Sequence, residues 1–358
     1  MLLIQASVSE VSIELPAGTS VTFQLHGQTF SESSASCFVV KDAGDDPDVT
    51  NGAELHALVS FTAHQEGGVN ILSGGSGIGK VTKPGLAIPP GEWAINPVPR
   101  HMINQAVTTL LSEFNIQHST FNIVISIPDG EERARKTLNA RLGIIGGLSI
   151  LGTTGIVRPI SAKAWTDTID ASLDVATASG CTTVVLSTGR SSEMAAQEFF
   201  RVKGQGSRTD YSNLPLAPYP LGPQFGSLTL KEEAYIMMGD HVAYALRACE
   251  RRGFIEPIIA CQFAKLLKIA CGYENTHAAA SDLDLSVLRE WAEAAHVAPE
   301  YLAIISSANT AREIAVVTGF DTVLMELVAT RARQAAAVHA PGIQVRPLLC
   351  GYNGTVII

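Results

Sequence analysis

"CTTVVLSTGRSSEMAAQEFFRVKG" (residues 181–204) decides the fold class. Val184, Val185 and Leu186 form a short apolar run that ends on Ser187-Thr188-Gly189, and a capped helical pattern begins directly behind the glycine. A buried strand that turns at its end and passes straight into a helix is half of a βαβ unit, the element from which doubly covered parallel sheets are built. The same alternation extends both ways. Residues 160–180 predict a helix with Ser161 as N-cap and Gly180 as its stop. A helix over 239–252, a strand over 256–262, a helix over 264–271, two or three helices between 282 and 339 and a closing strand over 342–351 follow. Residues 211–226, with four prolines and two glycines, read as a loop.

Upstream the pattern changes. Residues 8–26 alternate apolar and polar on both sides of a Pro-Ala-Gly turn, which predicts a hairpin. Residues 54–64, 67–75 and 121–128 read as strands, a helix is expected after Pro97, and a short charged helix after residue 128. The expectation is an α/β protein. A β-rich two-layer α+β domain (residues 1–158) precedes a Rossmann-like parallel α/β domain (residues 159–358).

Composition narrows the function classes. The chain is acidic, net −9 at pH 7, with no basic stripe of the kind a nucleic-acid binder carries. Local basic residues (Lys80, Lys83, Arg100, Arg133, Arg135, Lys136 and Arg141) can still hold an anionic small molecule. The six cysteines are scattered with no CxxC pair, so no metal site is expected, and reduced thiols suit a cytoplasmic protein. No signal-peptide pattern opens the chain and no apolar run reaches membrane-spanning length, so no membrane association is expected.

"ILSGGSGIGKVTKPG" (residues 71–85) has the spacing of a nucleotide-binding P-loop up to Gly79-Lys80, but Val81 stands where Ser or Thr must follow. Pro84, Pro89 and Pro90 then forbid the helix whose amides would hold phosphate. A turn between strands and a ligand-binding loop both remain open. "VVKDAGDDPDVTNGAE" (residues 39–54) lacks the closing Glu of an EF-hand and reads first as an Asx-rich turn, with a carboxylate as base or orienting group as the alternative. "RLGIIGGLSILGTTGIVRP" (residues 141–159) is glycine-rich enough for close backbone approach to a cofactor or to another strand. Ser187-Thr188-Gly189-Arg190 lies where a parallel strand ends, the edge at which such sheets bind ligands. His277 stands in a polar loop behind a helix.

Together, residues 39–54, "GGSGIGKVTKPGLAIPPGEWAINPVPR" and "LNARLGIIGGLSILGTTGIVRPIS" resemble the CbiD family, the cobalt-precorrin-5B C1-methyltransferases of anaerobic cobalamin biosynthesis. "LSTGR", "MGDHVAYALRACERRGF" and "AKLLKIACGYENTHAAASD" match more weakly, in the same order. Two departures stand out. The family's N-terminal GxTTGTCAAAA-type segment is missing, which leaves a non-catalytic tetrapyrrole-binding or pathway-partner protein as the alternative. Cys261-Gln262-Phe263-Ala264 also replaces a glycine-containing turn.

The resemblance implies methylation of C1 of an anionic cobalt-containing tetrapyrrole, with S-adenosylmethionine consumed as methyl donor and cobalt present only within the substrate. It implies Lys41, Lys80, Lys83, Arg100, Asn96 and His277 for the substrate, and Asp42, Asp45 or Asp46 as base or orienting group. Gly146, Gly147, Gly152, Thr153, Thr154, Gly155, Ser187, Thr188 and Gly189 are the corresponding expectation for the methyl donor. A homo-oligomer is compatible with this reading.

Overall fold

The computed structural model describes residues 1–16, 18–46, 48–62, 70–116, 120–151, 155–156, 162–204 and 229–357. The chain divides into two compact units, Met1–Ser161 and Ala162–Ile358. The expected N-cap Ser161, the strand start at 67–69 and the loop at 211–226 lie outside the described residues.

In the first unit, β1 (Glu10–Glu14) and β2 (Ser20–Gln24) form the expected antiparallel hairpin. A five-stranded sheet is built from β3 (His26–Phe30), β4 (Ser34–Val40), β5 (Glu54–Thr62), β6 (Ile71–Gly74) and β8 (Thr120–Ser126), in the order β3-β4-β5-β8-β6. Its pairings are antiparallel except β6 on β8. Two short strands, β7 (Lys80–Val81) and β9 (Ile144–Ile145), pair separately. Between β7 and β8 runs α1 (Pro97–Glu113), and α2 (Gly130–Ala134) follows β8. Helix α1 sets Ile103, Val107 and Leu111, each four residues from the next, against Ala35, Phe121 and Ile123 of the sheet. That packing makes the two layers. The strand over 34–40 was not expected: "SASCFVV" is mostly half-buried and lacks a clean alternation.

The second unit is a four-stranded parallel sheet of β10 (Val185–Ser187), β11 (Tyr235–Met237), β12 (Ile258–Cys261) and β13 (Arg346–Leu349). Its order is β11-β10-β12-β13, so the chain leaves β10 to one side for β11 and returns past it to β12. The connection reverses at the β10/β12 boundary, the switch point of a doubly wound sheet. One face is covered by α3 (Ala162–Ala178), α5 (Val242–Arg251), α6 (Phe263–Ala270) and α10 (Thr322–His339), packed on Leu186, Ile236, Ile259 and Leu349. On the other face α4 (Arg190–Gly204) sets Ala195, Ala196 and Phe200 against Val185, Ile258 and Leu348.

Between 282 and 339 there are four helices, not two or three: α7 (Leu285–Ala294), α8 (Pro299–Ser307), α9 (Ala311–Val317) and α10. Pro299 opens α8, while Thr310 and Asp321 cap α9 and α10 by accepting from Glu313 N and Leu324 N. Those stops are local chemistry that a continuous apolar pattern conceals. The three-residue strand β11, directly behind the charged turn Glu232–Ala234, was also missed. Among the described residues no helix is long and apolar enough to cross a membrane.

Candidate functional site

The glycine-rich loop of the first unit is a backbone crossing. Gly77 has φ +71°, and a Cβ there would lie 1.9 Å from Ile127 O. A Cβ on Gly147 would lie 2.2 Å from Gly77 O, and one on Gly130 2.3 Å from the same oxygen. Gly77 O accepts from Leu148 N at 2.9 Å, and Leu148 O accepts from Gly79 N at 2.9 Å. Three segments therefore meet backbone to backbone, and only glycine allows that approach. Gly147 is buried in this crossing, whereas Gly146 is exposed with φ +87° and open space where a Cβ would stand. Gly155 packs on Leu15, and Gly152, Thr153 and Thr154 lie outside the described residues.

The cations expected to bind substrate differ in what already holds them. Lys41 Nζ is bound by Asp48 and Thr50 within the aspartate-rich loop. Burial pushes the Asp48 carboxyl up, but the Lys41 ammonium and the Thr50 donors outweigh it and hold the group below its ordinary range. Asp42 closes an Asx turn by accepting from Gly44 N at 2.8 Å; Asp42 and Asp45 are exposed and Asp46 is half-buried. Arg100 folds back from α1 to donate to Ile95 O (2.7 Å) and Trp93 O (3.0 Å), with Glu92 at 3.7 Å. Asn96 is the N-cap of α1 but makes no side-chain cap bond. Lys83 donates to Arg141 O at 3.3 Å, and its methylenes lie against Gly143.

Lys80 is different. It is exposed on β7, and among the described residues no carboxylate lies within ion-pair distance. Its ammonium stands 4.5 Å from the centre of the Trp93 ring. Cross-strand pairing sets Lys80 opposite both Trp93 and Ile145, so the three side chains share one face. Ile145 is 51% exposed, and the Trp93 ring rests on Gly74, where a Cβ would meet Cε3 at 2.5 Å. The result is an apolar ledge with one ammonium over it. Trp93 was not expected; the "GEW" that ends the proline-rich stretch is the only sequence signal for it.

In the second unit the structure brings Ser187, Thr188, Gly189 and the His277 loop to one sheet edge. Ser187 O, at the carboxyl end of β10, accepts from Met238 N (3.0 Å) and Gly239 N (3.2 Å) behind β11. Asp240 O, next in line, accepts from Thr276 N at 3.0 Å, which ties in the loop that carries His277. Ser187 Oγ is fully buried and, among the described residues, has no hydrogen-bond partner. It lies on the α4 side, as the period of two from Val185 requires. A Cβ on Gly189 would meet open space, so there is room over the turn. An orphaned hydroxyl and an open glycine turn at the switch point fit a bound small molecule.

Among the described residues no group of three or more His, Cys, Asp or Glu converges. Burial pushes the Cys249 and Cys350 thiols up to about 12, which leaves them unreactive at neutral pH.

The family model described as CbiD matches residues 1–159, and that for the CbiD C-terminal domain matches residues 275–358. A protein of Pelobacter propionicus is 58% identical over 363 residues, spanning 100% of this chain and 90% of its own length. The chain belongs to the CbiD family. Two further relatives, from Geobacter metallireducens and Geobacter sulfurreducens, are 54% and 52% identical, each over 100% of this chain and 92% of their own length. All three are named cobalt-precorrin-5B C(1)-methyltransferase. A crystal structure of the cobalamin biosynthesis protein (cbiD) from Archaeoglobus fulgidus is 24% identical, covers 73% of this chain and 71% of its own, and superposes with a TM-score of 0.34. That overlap is too loose to bear on either site.

Proposed function

We propose that the chain transfers the methyl group of S-adenosylmethionine to C1 of cobalt-precorrin-5B, yielding cobalt-precorrin-6A in cobalamin biosynthesis. The observation that carries this reading is 58% identity, across the whole chain, to a relative of that name. When bound, S-adenosylmethionine supplies an electrophilic methyl on sulfonium sulfur. The protein's task is alignment and exclusion of water, which needs few reactive side chains.

In the first unit, Lys80 takes a peripheral carboxylate of the macrocycle as a charge-assisted hydrogen bond, while Trp93 and Ile145 support its apolar edge. Lys41, Lys83 and Arg100 brace the segments they already bind, and Asp42, Asp45 and Asp46 remain the carboxylates for orientation or proton removal. In the second unit, Ser187, Thr188 and Gly189 hold the methyl donor, with the Ser187 hydroxyl as its hidden contact. On this reading the protein works in the cytoplasm.

Calorimetric titration with S-adenosylmethionine and with its demethylated product, each with and without a carboxylated cobalt corrinoid, tests the reading. Binding of at least one of them, followed by gain of one methyl on cobalt-precorrin-5B by mass spectrometry, is expected. Lys80→Met should weaken the carboxylated corrinoid about tenfold and leave its methyl ester unaffected. Absence of heat in every titration sinks the proposal.

A further inference from the structure

The loop that carries His277 is held by more charge than a surface turn needs. Lys265 and Lys268 stand three residues apart on α6, whose Phe263, Leu266, Leu267, Ile269 and Ala270 are buried. Both ammonium groups reach the carbonyl of Thr276, Lys265 Nζ at 2.9 Å and Lys268 Nζ at 3.3 Å. Lys268 Nζ also donates to Ser281 O at 2.9 Å. The Asp240 carboxylate binds Lys265 and accepts from Thr276 Oγ1 at 2.7 Å. Thr276 and Ser281 are buried, 0% and 3% exposed.

His277 lies between these anchors and is itself pinned. Its N–H donates to Asn275 Oδ1 at 2.8 Å. Its carbonyl accepts from Ala280 N, Ser281 N (both 3.0 Å) and Ser281 Oγ (2.8 Å). Its ring Nδ1 accepts from Ala279 N at 3.2 Å. With that lone pair occupied, the neutral ring carries its proton on Nε2. His277 is exposed, and among the described residues no partner meets Nε2–H, which is left to face outward.

Asn275 and Ser281 alone would close such a turn. Partly burying two ammonium groups to grip two carbonyls costs desolvation. Burial, followed by the neighbouring Lys265 charge, holds the Lys268 pKa below its ordinary value. That cost is repaid only if the exact placement of the loop matters. We propose that Asp240, Lys265, Lys268 and Thr276 are positioning residues that hold His277 at the carboxyl edge of the parallel sheet, its Nε2–H presented to a ligand carboxylate. Two sources share that chemistry, the amino-acid end of the methyl donor and the rim of the macrocycle. Only the identity of the ligand rests on the methyltransferase reading.

Two measurements on the full chain test this. In ¹⁵N-histidine NMR spectra, assigned through His277→Gln, His277 should be a single Nε2–H tautomer. Lys268→Met and Thr276→Val should mix the tautomers, and Thr276→Ser should restore one. In titrations, His277→Ala should weaken either S-adenosylhomocysteine or a carboxylated cobalt corrinoid about tenfold, and whichever ligand weakens identifies the source. Lys268→Met should weaken that same ligand, and the double variant should bind no worse than His277→Ala alone.

Unchanged binding of both ligands by His277→Ala overturns the proposal, as do losses that multiply in the double variant. Should the wild type bind neither ligand, the methyltransferase reading fails. The tautomer then decides alone: a mixture in the wild type, or one tautomer that survives both Lys268→Met and Thr276→Val, overturns the positioning role. Thr276→Val keeps the test alive if Lys268→Met does not fold.

Discussion

Gly146 and Gly147 are neighbours with the same side chain and opposite surroundings, so alanine at each separates packing from ligand contact. At Gly147 the backbone lies outside the left-handed region, but the new Cβ would stand 2.2 Å from Gly77 O, 2.3 Å from Gly77 C and 2.7 Å from Ile78 N. Gly77 cannot retreat, because its own Cα faces Ile127 O and Gly130 and its carbonyl holds Leu148 N. Overpacking against backbone costs about 1–3 kcal/mol. Breaking the Gly77–Leu148 and Gly79–Leu148 bonds adds about 1 kcal/mol each. Gly147→Ala should therefore lose about 3–5 kcal/mol, and Gly146→Ala only the left-handed penalty of about 1–2 kcal/mol. With a urea m-value of about 2 kcal/mol/M, the midpoint falls by about 1.5–2.5 M in the first case and about 0.5–1 M in the second. Hydrogen exchange of residues 74–81 and 144–150 across a urea series reports this unit alone. Equal shifts for the two variants would refute the crossing as the reason for the glycines. If Gly146 lies against a ligand, Gly146→Ala will weaken binding far more than it weakens the fold.

Lys41→Met should destabilise the first unit by about 1–2 kcal/mol, because it leaves half-buried Asp48 without its cation, while binding per folded molecule stays unchanged; a binding defect at full stability would return Lys41 to the ligand site. Ser187→Ala removes a buried hydroxyl without a partner, so urea melts should show no loss, or a gain of up to about 1 kcal/mol, while affinity for the methyl donor falls; a loss above about 1 kcal/mol would mean an internal partner. Asp48 and Asp240 both titrate below the ordinary carboxylate range, because hydrogen bonds from Lys41 and Thr50, and from Lys265 and Thr276, outweigh burial. Each binds fewer protons folded than unfolded, so the stability it adds is complete above the unfolded value of about 4 and is lost as pH falls through the lowered value. Tm should drop below about pH 4, and Asp48→Asn with Asp240→Asn should flatten that drop; an unchanged slope counts against both pairs.

The architecture was legible where short-range chemistry and burial agree. Val184, Val185 and Leu186 followed by a glycine turn and a helix, within a wider alternation of strands and helices, read as a parallel strand, and the hairpin of β1 and β2 showed in alternation and turn residues alike. Strand β11 has too few residues to display a period, and half-buried β4 blurs the contrast between its faces. The glycines were legible as a class, but not their reason. Gly77 and Gly147 are far apart in sequence, and each explains the other only after the chain has brought them together.

Charge availability is harder still, because it depends on which partner the fold supplies. Lys41, Lys80 and Arg100 are equivalent as letters. Lys41 meets Asp48 in its own loop, and Arg100 meets the carbonyls of Ile95 and Trp93 once Pro97 has started α1 beneath them. Lys80 alternates with buried Val81 on a two-residue strand, so it must face out, and the segments paired with it contribute Trp93 and Ile145 rather than an acid. An aromatic face steadies an ammonium without neutralising it, and so leaves its charge available to a ligand. His277 is set apart by the same criterion: its backbone and Nδ1 are bound, and Nε2–H is not. On the proposed reading, the functional polar groups of this chain are those whose placement is fixed by neighbours that do not consume their hydrogen-bonding capacity. That condition is tertiary, and it separates Lys80 and His277 from residues of the same type that serve the fold.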